Sequence, residues 1–538
     1  MEKKDIKKDI LIKLAIIIGI IIAVNIISNR IFTRLDLSRN KSYTLSDVSK
    51  GIVGNLEDKL EVRAYFSDNL PSPYNNLKRD VKDMLSDYRS YSKGNLNYVF
   101  VNEGSADESN KEFETDAQKF GIQPVQIQVM DNDKLEVKKA LMGLAILYQG
   151  KTEVIPFIQS VNNLEYDVTS KIKKIITEKK KKIGFLTGHS EYDYTKWQTI
   201  YQTLTSQYDV TSVDLSKNIP VPNDIDVLII AGPKGEFPEW HKFQLDQYIM
   251  RGGNIAFMIN KVTPNFQQQI AIGDQVDNKL DDMLLNYGIK IDNDLIRDLQ
   301  CSAVSVQTQI GIPMQVSYPY FPLVSNINRD ISAFKNIQAV ALSFVSSLDL
   351  QAAQGKNIQV TPLLTTSDRS GKATGFFILN LEQFQNLTKQ AADTLFNQKG
   401  FVVGALYSGS FRSFYADKPA PSDTTPASAD VTKQERFNES QKPSKIIAIG
   451  DGDLAHEEQR PPKDNLTFFV NMVDFLADDV GLAEIRSKDT SESPIEETSD
   501  FTKRFVKYLN LILPPVLIIL FGLYIWNKRK VNRKKLQS

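Results

Sequence analysis

Two long apolar segments near the ends of the chain constrain its fold more than any other feature. The first spans residues 10–27 and is interrupted only by Lys13 and Asn25, and the second, residues 509–526, reads LNLILPPVLIILFGLYIW. Each approaches the roughly 20 apolar residues that a helix needs to cross a bilayer. We therefore predict one transmembrane helix at each end of the chain, with a buried core helix as the alternative for either segment.

Basic residues beside these segments predict their orientation, because basic residues close to a membrane helix tend to stay in the cytoplasm. The second segment is followed by more basic residues than precede it, and the first is preceded by more than follow it. The residues on the heavier sides are Lys528, Arg529, Lys530, Arg533, Lys534 and Lys535, and Lys3, Lys4, Lys7 and Lys8. Both termini are thus predicted to be cytoplasmic, with everything between them outside.

The first segment also has the basic start of a signal peptide, but the following NIISNRIF offers no small-residue cleavage site and no lipoprotein cysteine. We expect an uncleaved anchor.

The length of the chain, 538 residues, predicts two to four structural units. Lys+Arg and Asp+Glu both number 65, so no nucleic-acid partner is predicted. The single cysteine, Cys301, excludes a disulfide or a CxxC redox pair within one chain.

Residues 33–180 alternate between strand-like and helix-like patterns in the order β-α-β-α-β-β-α. This order predicts a thioredoxin-like α/β domain. The first strand-to-helix junction, FSDNLPSPY, has no cysteine. Only the scaffold is therefore predicted to be shared with redox proteins, without their chemistry.

Residues 181–484 repeat a strand-turn-helix rhythm, and DVLIIAGP has the apolar centre of a strand buried on both faces. These patterns predict a doubly wound parallel-sheet α/β domain. An insertion at about 261–443, whose topology the sequence leaves unassigned, separates the last strand from the others. The remaining predicted units are a cytoplasmic tip and anchor (1–32), a polar linker (485–507), the C-terminal transmembrane helix (508–527) and a basic tail (528–538).

Three loops, GHSEYD, AGPKGEF and GDGDLA, follow predicted parallel strands. The carboxyl ends of such strands share one edge of the sheet, where ligands usually bind. His189, Glu191, Asp451 and Asp453 are therefore predicted to lie near one another, as a candidate site for a ligand or partner.

Three interpretations of this edge stay open: structural turns, which we favour, a binding cleft, and a hydrolase site built on His189 and Glu191. Ser190 does not stand in a GxSxG elbow. A zinc ligand set, a calcium loop, a Walker motif and a dinucleotide glycine pattern are all missing from the sequence. We therefore predict no metal, no cofactor and no enzymatic activity.

The run RLDLSRNKSYTLSDVSKGIVGNLEDKLEVRAYFSDNLP (34–71) resembles the start of the auxiliary, substrate-binding-type subunits of gliding-motility-associated ABC transporters. Four further stretches are similar to the same family: LSDYRSYSKGNLNYVFVNEG, IGFLTGHSEYD, LDQYIMRGGNIAFMIN and IGDGDLA. The order and spacing of these stretches carry the resemblance, which extends over nearly the whole chain.

The resemblance implies a subunit that works beside an ABC ATPase subunit and an ABC permease subunit in the bacterial inner membrane, with a large periplasmic domain and a link to gliding. It also implies similarity to a domain of intraflagellar transport proteins, and it supplies neither catalytic residues nor a ligand. The chain has no nucleotide-binding loop of its own, so any transport must draw energy from a partner. A scaffold that links the membrane to a motility or secretion apparatus is a further alternative.

Overall fold

The computed structural model describes residues 44–477, residue 485 and residues 500–537, apart from short gaps. The gaps are 69, 72–73, 102–106, 132–133, 162, 178, 218, 268–269, 308–312, 336, 386 and 422–434. The predicted N-terminal anchor lies outside the described residues. The chain divides into two compact units between Ser491 and Glu492, and each is considered by itself.

The N-terminal part of the first unit contains a four-stranded sheet flanked by helices. Its helices are α1 (Asp47–Gly54), α2 (Leu77–Tyr91), α3 (Asp107–Lys119) and α4 (Leu164–Ile176). Its strands are β1 (Leu60–Phe66), β2 (Leu96–Val101), β3 (Val125–Asp131), β4 (Lys134–Ala140), β5 (Met142–Tyr148) and β6 (Lys151–Ile155). The sheet order is β2-β1-β5-β6, in which β1 and β2 are parallel and the other pairs antiparallel.

Helical spacing of apolar residues explains how α2 packs on this sheet. Leu77, Val81, Leu85 and Tyr88 are buried and recur every three or four residues. The hairpin β3–β4 stands outside the four-stranded sheet. Strand β4, KLEVKKA, is absent from the predicted element order because its charged residues obscure the apolar pattern. Four strands lie between α3 and α4, where the predicted order has two, and helix α1 precedes β1, where that order has no helix. The thioredoxin-like assignment stays a prediction.

The second part of this unit is built on an eight-stranded sheet of order β16-β18-β21-β22-β10-β9-β7-β8. The strands of this part are β7 (Lys182–Thr187), β8 (Asp209–Asp214), β9 (Val227–Ala231), β10 (Asn254–Met258), β11 (Val262–Asn265), β12 (Ile272–Gln275), β13 (Asp294–Asp298), β14 (Cys301–Gln307), β15 (Pro313–Val324), β16 (Asn326–Ile327), β17 (Val340–Ala341), β18 (Ile358–Thr365), β19 (Ser370–Thr374), β20 (Phe377–Ile378), β21 (Val402–Gly409) and β22 (Ser444–Ile449). The helices are α5 (Gln198–Gln207), α6 (Glu239–Met250), α7 (Asp281–Asn286), α8 (Lys389–Leu395) and α9 (Lys463–Leu476).

Both faces of the eight-stranded sheet are covered. Ile229 packs in one apolar core with residues of α5 and α9, whereas its neighbour Ile230 packs in a second core with residues of α6 and α7. Successive residues of a strand point to opposite faces, so a strand buried on both sides must be apolar throughout. VLIIA in β9 is completely buried, as its sequence predicts.

The sheet is mixed, which corrects the prediction of a purely parallel one. Strands β8, β7, β9, β10 and β22 are parallel to one another. The insertion then adds β21, β18 and β16 in antiparallel order beyond β22. Local sequence could not reveal this, because an apolar strand such as VVGALYSG pairs equally well in either direction. The rest of the insertion forms small sheets, β11-β12-β20, β13-β19 and β14-β15-β17.

The second unit contains the helix α10 (Asp500–Gln537), which continues through Pro514 and Pro515. Its segment Arg504–Trp526 has a mean hydropathy of 2.1 and is 0% buried, and among the described residues it is the one helix long and apolar enough to cross a membrane. The second predicted membrane segment thus coincides with an uncovered apolar helix. Residues 500–507, predicted as the end of the linker, already belong to α10.

Candidate functional site at the carboxyl edge of the sheet

The order of the parallel strands directs attention to one point on the carboxyl edge. From β7 the chain adds β8 on one side and then β9 and β10 on the other, so the direction of growth reverses between β7 and β9. In doubly wound sheets the crevice at such a reversal is the usual ligand site. The loops that leave this point are residues 188–193 and 232–237, which contain two of the three predicted segments.

Side chains of the protein itself fill the crevice at the reversal between β7 and β9. The ring of His189 is stacked on Phe237 with 3.7 Å between centroids. Its Nδ1 lies 3.0 Å from Oε1 of Glu191, and its Nε2 lies 2.7 Å from Nδ1 of His241. The side chains of His189 and Glu191 are each 2% exposed. This buried chain of three polar groups is closed to solvent.

The backbone of the same loop joins it to the next one. The N–H of His189 donates to Glu191 at 2.7 Å, and its carbonyl oxygen accepts from the N–H groups of Lys234 and Gly235 at 3.0 and 2.7 Å. These bonds satisfy backbone groups that burial would otherwise leave unpaired. They hold the two loops at the reversal point together.

The two predicted aspartates lie in the third loop and are also internally bonded. Oδ2 of Asp451 accepts from the N–H of Ser343 and Oδ1 from the N–H of Asp453, both at 2.6 Å. Burial, together with the charge of Asp453, raises the pKa of Asp451 to about 8, and the backbone hydrogen bonds oppose this rise. Asp453 accepts from the hydroxyl of Tyr192 and, at 3.2 Å, from the amide of Asn260.

Glycines allow the three loops to meet. A Cβ added to Gly232, where φ is +59°, would overlap the ring of Tyr192, and one added to Gly452 would lie 2.6 Å from Cα of Gly232. The predicted proximity of the loops is therefore present, with Tyr192 as the link between the histidine group and the aspartate group. Whether His189, Glu191, Asp451 and Asp453 bind a ligand or partner stays a prediction.

The insertion covers this edge, a point that the sequence leaves open. Besides the bond from Ser343 to Asp451, the N–H of Ser346 donates to the carbonyl of Gly450 at 2.9 Å. Asn465 in α9 exchanges two hydrogen bonds with the backbone of Ala341, at 2.9 and 2.7 Å. Residues 341–346 thus lie over the end of β22.

The chemistry available to this arrangement is limited. Within the described residues the ring nitrogens of His189 contact only Glu191 and His241, so the nucleophile that a hydrolase needs is not in place beside it. Across the same residues, no group of three or more His, Cys, Asp or Glu is placed to hold a metal ion. The geometry supports an interlock between loops.

Sequence reasoning missed three residues of this network: Tyr192, His241 and Asn260. His241 lies in α6, and its approach to His189 depends on how helix and sheet pack. Asn260 had a usable signal, because it follows β10, whose end lies on the same edge as the three predicted loops.

Comparison with known proteins defines the class of the chain. It belongs to the family described as an ABC-type uncharacterized transport system, which it matches over residues 180–477, more than half of its length. Membership of this auxiliary transport family indicates an accessory, non-enzymatic role in association with transporter components. The family and the apolar helix α10 together indicate association with a membrane.

Further matches extend beyond residues 180–477. Residues 39–147 match a domain of unknown function. A protein of Borreliella burgdorferi, described only as uncharacterized, is 25% identical over 512 residues, or 93% of this chain and 94% of that protein. Among solved structures, the mmIFT52 N-terminal domain is similar over 55% of this chain and 97% of its own, at 15% identity and a TM-score of 0.31. A ThuA-like protein from Parabacteroides merdae is similar over 35% of this chain and 69% of its own, at 13% identity and a TM-score of 0.22. Scores this low support no argument from either structure.

Proposed function

We propose that the chain is a non-catalytic, membrane-anchored subunit of an ABC transporter complex that binds a substrate or partner on the periplasmic side of the bacterial inner membrane. The observation that carries this proposal is the family match over 180–477, combined with an apolar helix segment, Arg504–Trp526, that is 0% buried among the described residues. The chain lacks a nucleotide-binding loop, so an ABC ATPase subunit would supply energy and an ABC permease subunit the path.

The finer proposal is a subunit of the GldG type, linked to gliding motility, with two membrane helices and both termini in the cytoplasm. The resemblance of residues 34–71 and the asymmetry of basic residues around the two apolar segments support it. Anchoring at both ends would hold the outer domains beside the partner subunits and raise their effective concentration there.

For the outer domains we propose a division of roles. The N-terminal domain would be a thioredoxin-like scaffold, supported by the sheet order β2-β1-β5-β6 with β1 and β2 parallel. The loops with His189, Glu191, Asp451 and Asp453 would hold the carboxyl edge in shape and leave contact with a partner to other surfaces of the domain. The burial of His189 and Asp451 supports this assignment.

Purification of the full chain from its own membranes in mild detergent tests the transporter association. We expect one ABC ATPase subunit and one multispanning permease subunit to copurify in fixed ratio. Recovery of the chain with a motility or secretion apparatus, and without either ABC subunit, would favour the scaffold alternative.

Alanine replacement of His189 together with Glu191 tests the hydrolase alternative. Retained gliding in cells whose variant protein is folded would remove that alternative. Loss of gliding with a normally folded protein would show that the edge matters for function. Binding and hydrolysis would then be separated by assaying the purified wild-type chain for hydrolysis of ester and peptide substrates.

A further inference from the structure

The edge strand β14 lacks the usual protection against pairing with another chain. In the part of the chain that the structure describes, β14 pairs with β15 alone, at one side of the sheet β14-β15-β17. Exposed edges are normally blunted by charges, by proline or by bulges. The segment AVSVQ (303–307) has neither charge nor proline, and the one register shift lies before it, between Cys301 and Ala303.

The outward-facing residues of this segment leave room for close approach. Ala303 and Ser305 are exposed and small, whereas Val304 and Val306 are half-buried on the opposite face. This alternation follows from the two-residue period of a strand. A second backbone can therefore lie beside β14 without displacing a large side chain.

An apolar cavity of about 430 Å³ lies on the face of Val304 and Val306. Its lining also includes Tyr318, Phe321 and Phe344. In strand addition, main-chain hydrogen bonds provide affinity, and pockets for alternate side chains provide specificity. Here a free edge and a pocket share the same alternate residues of one strand.

The rim of the cavity suggests what would enter it. Phe266 lines the cavity yet is 66% exposed, which is a large apolar surface to leave in water. Glu382 also lines it, and within the described residues its carboxylate has neither a hydrogen bond nor an ion pair. The lining of the cavity thus offers both an exposed apolar contact and a carboxylate without a partner among the described residues.

We propose that residues 303–306 of β14 bind an extended peptide segment of a partner protein by strand addition. Apolar side chains at alternate positions of that segment enter the cavity, and a basic residue of the segment lies beside Glu382. A second copy of β14 is a poorer occupant, since CSAVSVQ carries no positive charge for Glu382. The polar stretches 422–434 and 486–499 of the chain do not offer alternating apolar residues either.

Selection from a phage-displayed library of random decapeptides tests this proposal with the full chain in lipid nanodiscs, after depletion on empty nanodiscs. We expect enriched peptides with apolar residues at every second position and a flanking Lys or Arg. Binding of fluorescein-labelled forms of these peptides is measured by fluorescence anisotropy. Methylation of alternate backbone nitrogens of the peptide should lower its affinity at least tenfold, because it removes main-chain hydrogen-bond donors.

Paired variants locate the site. Ser305→Lys, which places a blocking charge on the edge, and Phe266→Ala should each weaken binding at least fivefold. Gln315→Lys, at the exposed residue opposite Ser305 on β15, and Phe376→Ala, at an exposed aromatic that does not line the cavity, should leave it unchanged. Glu382→Gln should weaken the binding only of those peptides that carry a basic residue.

Folding of each variant is checked by unfolding curves that match the wild type. A selection that yields no peptide sensitive to both Ser305→Lys and Phe266→Ala would overturn the proposal. Self-association of the chain that Ser305→Lys abolishes would also overturn it, in favour of a second copy as occupant. The result does not depend on the transporter role, because peptide binding and copurification of ABC subunits are measured separately.

Discussion

Two edges of the same compact unit differ in how they treat their polar groups. At the carboxyl edge of the large sheet, His189, Glu191 and Asp451 are buried and bonded to one another or to nearby backbone. At the β14 edge, the main-chain groups that face away from β15 and the carboxylate of Glu382 have no such partners among the described residues, and Phe266 is exposed. The first edge carries histidines beside carboxylates, a combination associated with catalysis, and the second carries no histidine. Availability for binding therefore does not follow from residue type.

The comparison predicts unequal costs of substitution, with the largest at His189. His189→Ala would leave Glu191 and His241 buried without their shared partner and would remove the contact with Phe237. We expect a loss of about 3 kcal/mol in the free energy of unfolding. Urea unfolding followed by the fluorescence of the buried Trp197 measures it. A loss below about 1 kcal/mol would mean that the edge is open in solution.

A second substitution tests whether the insertion is packed against the carboxyl edge. A Cβ on Gly450 would overlap the carbonyl oxygen of Ser346. Gly450→Ala should therefore cost about 2 kcal/mol of overpacking. Gly51→Ala is the control, because it lies in α1 with no atom within 4 Å of the added Cβ. The control should stabilise slightly, as Ala does in helices. Equal effects of the two substitutions would contradict the packing of the insertion on this edge.

The buried acid predicts a smaller, pH-dependent effect. The pKa of Asp451 is raised in the folded chain, so the folded state holds a proton that the unfolded state loses from about pH 4 upward. The contribution of Asp451 therefore lowers the free energy of unfolding as the pH rises towards 8. Above that pH its contribution no longer changes. The difference in unfolding free energy between wild type and Asp451→Asn, measured from pH 5 to 9, should change in this direction and then level off. A constant difference would show that Asp451 is ionised throughout.

The smallest effect on stability is expected at the β14 edge. Phe266→Ala removes a side chain that is 66% exposed and should change the free energy of unfolding by less than about 0.5 kcal/mol. Phe376→Ala, 72% exposed, should behave alike. The two variants should then differ in peptide binding alone. A large destabilisation by Phe266→Ala would assign this residue to the core of the insertion.

The sequence could predict elements that depend on local pattern. The amphipathic spacing of α2, the apolar run of β9 and the membrane-length segment in α10 are all legible in the amino acids. The meeting of the three loops was also predictable, because parallel strands end on one edge. The direction of β18 and β21 was not, since pairing direction depends on connections through the insertion.

The burial of the candidate site could not be predicted from the sequence either. GHSEYD contains a histidine and a carboxylate, but their burial depends on Phe237 and His241, which come from another loop and helix. The β14 edge has no motif at all. It draws attention only because, in the described part of the chain, β14 has one neighbouring strand and a cavity beside it.

Photo-crosslinking in the intact complex tests the central claim most directly, with a benzophenone amino acid in place of Ser190 or of Phe266. Both residues are exposed, and Ser190 adjoins His189 at the carboxyl edge. We predict crosslinks to a partner protein from position 266 and none from position 190. Partner crosslinks from position 190 alone would contradict the account, because they would place recognition at the edge that its own side chains close.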